Sequence, residues 1–184
     1  MAADLLAQAE HGEDASAILL TTSERLARET AAEVARQSER LPRRAIVEQS
    51  LAEYGAIVVV DGPEEACAIA NELAPEHLEL MTSDDESVAA RIRHAGAIFF
   101  GPYTPEAVGD YFAGPNHVLP TGGAARFSSA LGVHDFVKRT TELRYAQEDL
   151  KNAQEKIAAL ARAEGLEAHA QSVLIRNDDS NHAS

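Results

Sequence analysis

Apolar residues in the first hundred positions occur in two patterns that alternate along the chain. Short continuous apolar runs predict strands at 16–21, 56–61, 77–82 and 97–101. Helical spacing elsewhere predicts helices at 2–11, 23–41, 42–55, 63–74 and 83–96. Ser23 and Ser83 are expected to be N-caps, and Gly55 and Gly96 mark helix ends. This alternation predicts a parallel α/β unit with right-handed crossovers.

The run AIVVVD at 56–61 is apolar almost throughout, which is typical of a strand buried on both faces of a parallel sheet. We therefore predict a fold of the α/β class, with a parallel, Rossmann-like sheet layered with helices.

The pattern changes after Gly101. Residues 101–129 contain four of the seven prolines, which predicts a long loop with one helical turn at 105–112. Loops of this length inside a domain are usually functional or disordered, and the aromatic residues and histidine here favour function. Helical spacing returns from 133 to 176. We therefore assign 1–132 to an α/β domain and 133–176 to a helical tail, and we expect 177–184 to be disordered.

The composition excludes several functions. Thirty acidic and sixteen basic residues give a net charge of −14, which argues against nucleic acid as a partner. The single cysteine, Cys67, rules out a disulfide framework, and no apolar segment is long enough for a membrane helix. These features fit a cytoplasmic protein. The few lysines among many acids fit either a protein adapted to concentrated salt or an ordinary acidic bacterial protein.

Several side chains could bind a divalent metal ion such as zinc. Gln8 and His11 are three residues apart on a predicted helix, so they share a face. Asp110 could add a carboxylate and His169 a second imidazole. Four scattered residues of these types occur in almost any chain, so spacing alone leaves this site undecided.

Glu76 and His77 are adjacent in the stretch LAPEHLEL and directly follow Pro75. They either cap the preceding helix or provide acid–base chemistry, because parallel sheets place their sites near strand ends and entry loops. His117 lies between turn residues in GPNHVLP, where it either contacts a substrate or is simply exposed.

Five stretches together resemble the histidinol dehydrogenase family, in the family's order. They are LLAQAEH (5–11), APEHLEL (74–80), residues 95–129, DFVKR (135–139) and AEGLEAHAQSV (163–173). The resemblance covers nearly the whole chain. One local departure is Ala124, where the family more often has threonine.

The resemblance implies a NAD-dependent, two-step oxidation of L-histidinol through L-histidinal to L-histidine, the last step of histidine biosynthesis. In this family Zn²⁺ orients the substrate. The residues that match its metal ligands are Gln8, His11, Asp110 and His169, the last delivered by the partner subunit of a homodimer through tail exchange. All four also match substrate-binding positions.

The resemblance also assigns the remaining site residues. His77 matches the base that takes the alcohol proton, and Glu76 matches the base that activates water for the second oxidation. Both belong to the substrate-binding set, together with His117 and Glu164. A general base must lie within hydrogen-bond reach of its proton, so the two neighbours are expected at one cleft.

Family members are much longer than this chain, which begins just before the first matched metal ligand. By this resemblance the chain is expected to be the C-terminal portion, with an incomplete sheet and without the NAD-binding domain, so the NAD-binding residues stay unknown. No glycine-rich dinucleotide fingerprint is present in the sequence. Three hypotheses follow: half of a working enzyme completed by a separate N-terminal chain, a non-catalytic remnant that binds zinc and dimerises, or a metal-free structural domain. The chain alone is expected to be inactive.

Overall fold

A computed structural model describes residues 1–177, and the chain divides into two compact units, Met1–Phe136 and Val137–Ser184. The boundary lies four residues after the predicted one at 132. The disorder expected for 177–184 falls outside the described residues except for Asn177, which ends a short 3₁₀ turn.

The first half of the first unit packs three helices around one pair of strands. The elements are α1 (Ala2–Ala9), β1 (Ala17–Thr21), α2 (Glu24–Ser38), α3 (Arg44–Tyr54) and β2 (Gly55–Val59). Strands β1 and β2 are parallel, with Ala17 opposite Gly55. Ser23 is the N-cap of α2, as predicted, and its hydroxyl accepts a hydrogen bond from the Leu26 N–H at 3.2 Å. Leu6, Ala9, Ala17 and Val47 form the core of this layer.

The second half of the first unit contains the second pair of strands. Its elements are α4 (Pro63–Leu73), β3 (His77–Leu80), α5 (Asp85–Ala89), β4 (Ala97–Phe100) and α6 (Glu106–Tyr111). Strands β3 and β4 are parallel, with His77 opposite Ala97. The helical turn predicted at 105–112 is confirmed by α6.

Parallel strands layered with helices confirm the predicted fold class, but the strands form two separate two-stranded sheets among the described residues. The prediction that the strand at 56–61 is buried on both faces is wrong, since Val58 is 37% and Val59 is 47% exposed. A two-stranded sheet supplies a neighbour on one edge only, and α2 and α3 do not cover all of β2.

Helix α5 differs from its prediction at both ends. Its N-cap is Asp84 rather than Ser83, because the Asp84 carboxylate accepts the Ser87 N–H at 3.1 Å. It ends at Ala89, well before Gly96. Beyond it, the side chain of Asn71 donates to the Arg91 carbonyl and accepts the N–H groups of residues 93 and 94. The Asn71 side chain thus bonds backbone groups that would bond to one another if α5 continued to Gly96.

The second unit is a pair of helices, α7 (Gln147–Ala163) and α8 (Glu167–Leu174), joined at Gly165, which has a φ of +76°. Ala158, Ala161 and Ala170 form its small core. The helical tail predicted over 133–176 is interrupted, since a 3₁₀ turn at Val133–Phe136 is followed by non-helical chain up to Ala146.

Among the residues that the structure describes, no helix is both long enough and apolar enough to cross a membrane.

Candidate functional site

A sharp turn after α4 delivers Glu76 and His77 to the start of β3. Ala74 ends the helix in the left-handed conformation, with φ +49°, and its N–H donates to the Ala70 carbonyl. The Glu76 carbonyl then accepts the Ala97 N–H at 2.9 Å, which ties the turn to the entry of β4. His77 is the first residue of the paired strand, and its side chain is half-buried.

The imidazole of His77 has one bonded and one unbonded nitrogen. Nδ1 donates to Oε1 of Gln8 at 3.0 Å, because a side-chain amide oxygen only accepts. Nε2 therefore carries a lone pair. Within the described part of the chain, Nε2 is a buried polar side-chain atom without a hydrogen-bond partner. Such an atom is expected to meet a substrate proton or a metal ion, since orphaned buried polar atoms are rare.

Burial lowers the pKa of His77 below 6.5, against the opposing charges of Glu76 and Asp110. The nearby His11 lowers this pKa further. Because the pKa lies below neutral pH, the ring is uncharged there and can accept a proton. Its neighbours are the rings of His11 and Phe99, with ring centroids at 6.2 and 5.9 Å.

Two carboxyl groups on α6 face this imidazole. Glu106 and Asp110 are four residues apart, one helical turn, and a carboxyl oxygen of each lies within 4.8 Å of the other. Burial, followed by the neighbouring Asp110 carboxyl group, raises the pKa of Glu106 above its usual range. Oε1 of Glu106 lies 3.7 Å from Nε2 of His11. One donor atom each from His77, Glu106 and Asp110 lies within 4.8 Å of the other two.

This donor set fits a borderline divalent metal ion. Two imidazoles, two carboxyl groups and an amide oxygen supply the nitrogen and oxygen ligands that zinc accepts in proteins. The unpartnered Nε2 of His77 lies beside these donors and is free to contact a ligand of the site. The local charge is also suitable, because ionised carboxylates attract a cation and imidazole can remain neutral.

The structure brings together Gln8, His11, His77 and Asp110, with Glu76 next to His77 along the chain. His117 joins them indirectly, since its Nδ1 donates to the backbone carbonyl of Asp110 at 3.3 Å.

Glu164 and His169 belong to the second unit, where both side chains are exposed. Glu164 directly follows α7, and His169 lies within α8. Their assignment to the site remains a prediction from the resemblance.

Glu106 is a site residue that the sequence analysis missed. A single glutamate on a six-residue helix has no signature of its own. Its spacing of four from Asp110, inside the predicted turn at 105–112, is the signal that could have identified it.

Comparisons with known proteins agree with the resemblance. The profile of the family described as histidinol dehydrogenase matches residues 1–177. The histidinol dehydrogenase of Halalkalibacterium halodurans is 58% identical over 97% of this chain, and that of Geobacillus kaustophilus is 57% identical over 96%. In each case the chain spans 42% of the relative's length.

A crystal structure of histidinol dehydrogenase from Elizabethkingia anophelis is also similar. It matches 98% of this chain with a TM-score of 0.85 and 40% sequence identity, and the chain covers 41% of it.

Proposed function

The chain belongs to the histidinol dehydrogenase family, and from this we propose that it provides the acid–base and metal-binding portion of an enzyme that oxidises L-histidinol through L-histidinal to L-histidine with NAD. The observation that carries the proposal is the unpartnered, buried Nε2 of His77 beside Gln8, His11 and Asp110.

His77 is suited to the first oxidation. Its Nε2 lone pair accepts the hydroxyl proton of the alcohol while a hydride leaves the carbon that bears this hydroxyl group and goes to NAD. The bond from Nδ1 to Gln8 supports this role, because it fixes the ring and keeps the lone pair on Nε2. Glu76 would serve the second oxidation by taking a proton from the water that attacks the aldehyde carbon, and the hydrate that forms would lose its hydride to a second NAD. General bases of this kind contribute roughly 10²–10⁴-fold to rate.

Gln8, His11 and Asp110 would hold the metal ion, with His169 of the partner subunit as the fourth protein ligand. Zinc bound there would orient the imidazole and amino groups of the substrate. The support from this chain is their common neighbour His77: Gln8 bonds its ring at 3.0 Å, the His11 ring centroid lies 6.2 Å from its own, and a carboxylate oxygen of Asp110 lies within 4.8 Å of one of its nitrogens. His117 and Glu164 would contact the substrate.

A separate or preceding N-terminal portion would complete the enzyme and bind NAD. Two observations support this: the relatives contain more than twice the length of this chain, and large aromatic side chains are exposed in the first unit. The side chains of Tyr103, Tyr111, Phe112 and Phe127 are all more than 80% exposed. Exposed apolar surface of this kind marks interaction sites in proteins.

A second candidate is a non-catalytic remnant that binds zinc and dimerises. It is favoured by the lack of a glycine-rich dinucleotide fingerprint in a chain that keeps the metal-binding residue types. The two candidates share the metal site and differ in whether a partner chain restores activity.

The test is an assay of histidinol-dependent NADH formation by the 184-residue chain alone and with the N-terminal portion of a close relative supplied separately. We expect no activity from the chain alone and measurable NADH from the mixture. A mixture that associates stably but forms no NADH would support the remnant instead. Steady NADH formation by the pure chain would contradict the need for a partner.

A further inference from the structure

We propose that Glu106 is a positioning residue of this site, whose buried carboxyl group holds Asp110 and His11 in the orientation that binds the metal ion. The inference rests on the proposed function, and it adds a residue that the predicted ligand set does not contain. Glu106 would act through its two neighbours and would not itself bind the ion.

The first support is the burial of Glu106 beside two predicted metal ligands. Its side chain is only 11% exposed, whereas that of the neighbouring His11 is 47% exposed. A buried carboxyl group is costly unless it finds a hydrogen-bond partner, and a carboxyl oxygen of Asp110 lies within 4.8 Å of one of Glu106. A protonated Glu106 can donate to Asp110 and restrain it, which leaves the other lone pairs of Asp110 available to a ligand.

The second support is the distance to His11. Oε1 of Glu106 lies 3.7 Å from Nε2 of His11, so a small rotation of either side chain brings them into hydrogen-bond range. Metal-binding histidines commonly donate their other ring N–H to a carboxylate, which fixes the ring's orientation and tautomer. Glu106 is placed to do this for His11 while it restrains Asp110.

The third support is the rigidity of α6, which carries both carboxyl groups. The Glu106 N–H donates to Oε1 of Glu79 at 2.9 Å, which anchors the start of the helix to β3. On the other side, Gly109 lies so close to β4 that an added Cβ would meet the Phe99 ring at 2.7 Å. Because contacts with both β3 and β4 fix the position of α6, its two carboxyl groups are held in place, as a precise site requires.

The test is zinc affinity, measured by competition with a chromogenic chelator on the 184-residue chain. Glu106→Ala should weaken zinc binding by about 10–100-fold, the usual effect of removing a group that orients a ligand. Glu106→Gln should recover much of the loss, because its amide can still donate to Asp110.

A matched control is Glu65→Ala. Glu65 lies on α4, away from the site, and its carboxylate accepts the N–H of Asp61, so this substitution removes a hydrogen-bonded carboxyl group elsewhere in the chain. It should leave zinc affinity unchanged. Thermal unfolding of all zinc-free variants checks the fold. If Glu106→Ala does not fold, Glu106→Met takes its place, because methionine fills similar space without a hydrogen-bonding carboxyl group and should weaken zinc binding likewise.

Cobalt substitution separates positioning from direct binding. The visible absorption bands of the Co²⁺-loaded Glu106→Gln variant should match those of wild type, since the ligands are the same. Altered bands would identify Glu106 as a ligand and overturn the positioning role. Unchanged zinc affinity in Glu106→Ala would overturn it as well, while leaving the proposed function intact. If the wild-type chain itself does not bind zinc, both the proposed metal site and the role of Glu106 are wrong.

Discussion

Gln8 bonds one side of the His77 ring, and the surroundings of the ring shift its pKa in opposite directions. Burial and His11 favour the neutral form, and the carboxylates of Glu76 and Asp110 favour the charged form. Burial dominates, so the pKa is lowered from 6.5. The local packing thus prepares the ring to accept a proton at neutral pH, which is the property a general base requires.

The first prediction concerns this titration. In the zinc-free chain, NMR should show His77 titrating below pH 6.5, and Glu76→Gln should lower its pKa further by removing a stabilising negative charge. A lowered pKa in the folded state also means that unfolding becomes easier as the pH falls below 6.5, because the unfolded chain then binds the proton more tightly. His77→Gln should reduce this pH dependence. A pKa of His77 at or above 6.5 would contradict the dominance of burial.

The second prediction separates the two bases in the enzyme completed by its N-terminal portion. His77→Ala should slow oxidation of histidinol, and Glu76→Gln should mainly slow conversion of histidinal to histidine, each by roughly 10²–10⁴-fold. Single-turnover measurements started from each substrate distinguish the steps. If both variants slow both half-reactions equally, the division of labour is wrong.

The residues of the site were predictable to different degrees. His77 and Glu76 stand out because a polar pair interrupts an apolar run, but only the fold shows that Gln8 bonds the ring from 69 residues away. Glu106 escaped prediction because only the fold shows that it is buried beside Asp110. Burial of one glutamate is set by packing against other elements, which local sequence does not encode.

At the scale of elements, local signals predicted helix starts better than helix ends. Ser23 is the N-cap of α2, where its hydroxyl bonds a free backbone N–H. Pro63 is the first residue of α4, where the N–H that proline lacks is not needed. Helix α5 ends early for a non-local reason, the contacts of Asn71 with residues 91–94. The local sequence pattern of α5 contains no signal of a side chain some twenty residues earlier in the chain.

The third prediction tests this role of Asn71. Asn71→Ala removes two acceptor contacts and one donor contact, and it should lower the free energy of unfolding by about 1–3 kcal/mol in urea denaturation. Asn71→Asp keeps an oxygen that accepts both N–H groups, although its second oxygen faces the Arg91 carbonyl and repels it. Because accepted bonds to a carboxylate are strong, its loss should still be smaller than that of Asn71→Ala. If the two variants are equally stable, the N–H groups of residues 93 and 94 that bond to Asn71 do not stabilise the chain after α5.

At the scale of the whole molecule, the core of the second unit is built from small side chains, and few large apolar side chains of the first unit are buried. Val47 and Ser50 are the largest fully buried side chains of the described residues, and the core of the second unit consists of alanines. Each buried methylene contributes only about 0.8 kcal/mol, so these cores provide modest stability. Large apolar side chains meanwhile remain exposed, including Leu160 at 65% and Ile175 at 53% in the second unit. Burial of such side chains in an assembly would add stability that the single chain lacks.

The fourth prediction is that zinc binding and dimerisation are linked in this chain. By resemblance, each metal ion is closed by His169 of the partner subunit, so only the assembled form has the full ligand set. A ligand that binds one form tightly favours that form by mass action. Zinc should therefore tighten dimerisation in sedimentation equilibrium, and excess chelator should weaken it and lower the melting temperature.

The matched variants for this linkage both lie in α8. His169→Ala should abolish the dependence of dimerisation on zinc while leaving the monomer folded, because the side chain is exposed and packs in no core. Gln171→Ala removes an exposed polar side chain from the same helix and should keep the zinc dependence. The three ligands of the first unit should still bind zinc in His169→Ala, but more weakly, since a group with fewer protein ligands holds the ion less tightly. A chelator that changes neither the dimerisation constant nor the melting temperature of the wild-type chain would show that its metal ion, if bound, does not join two chains.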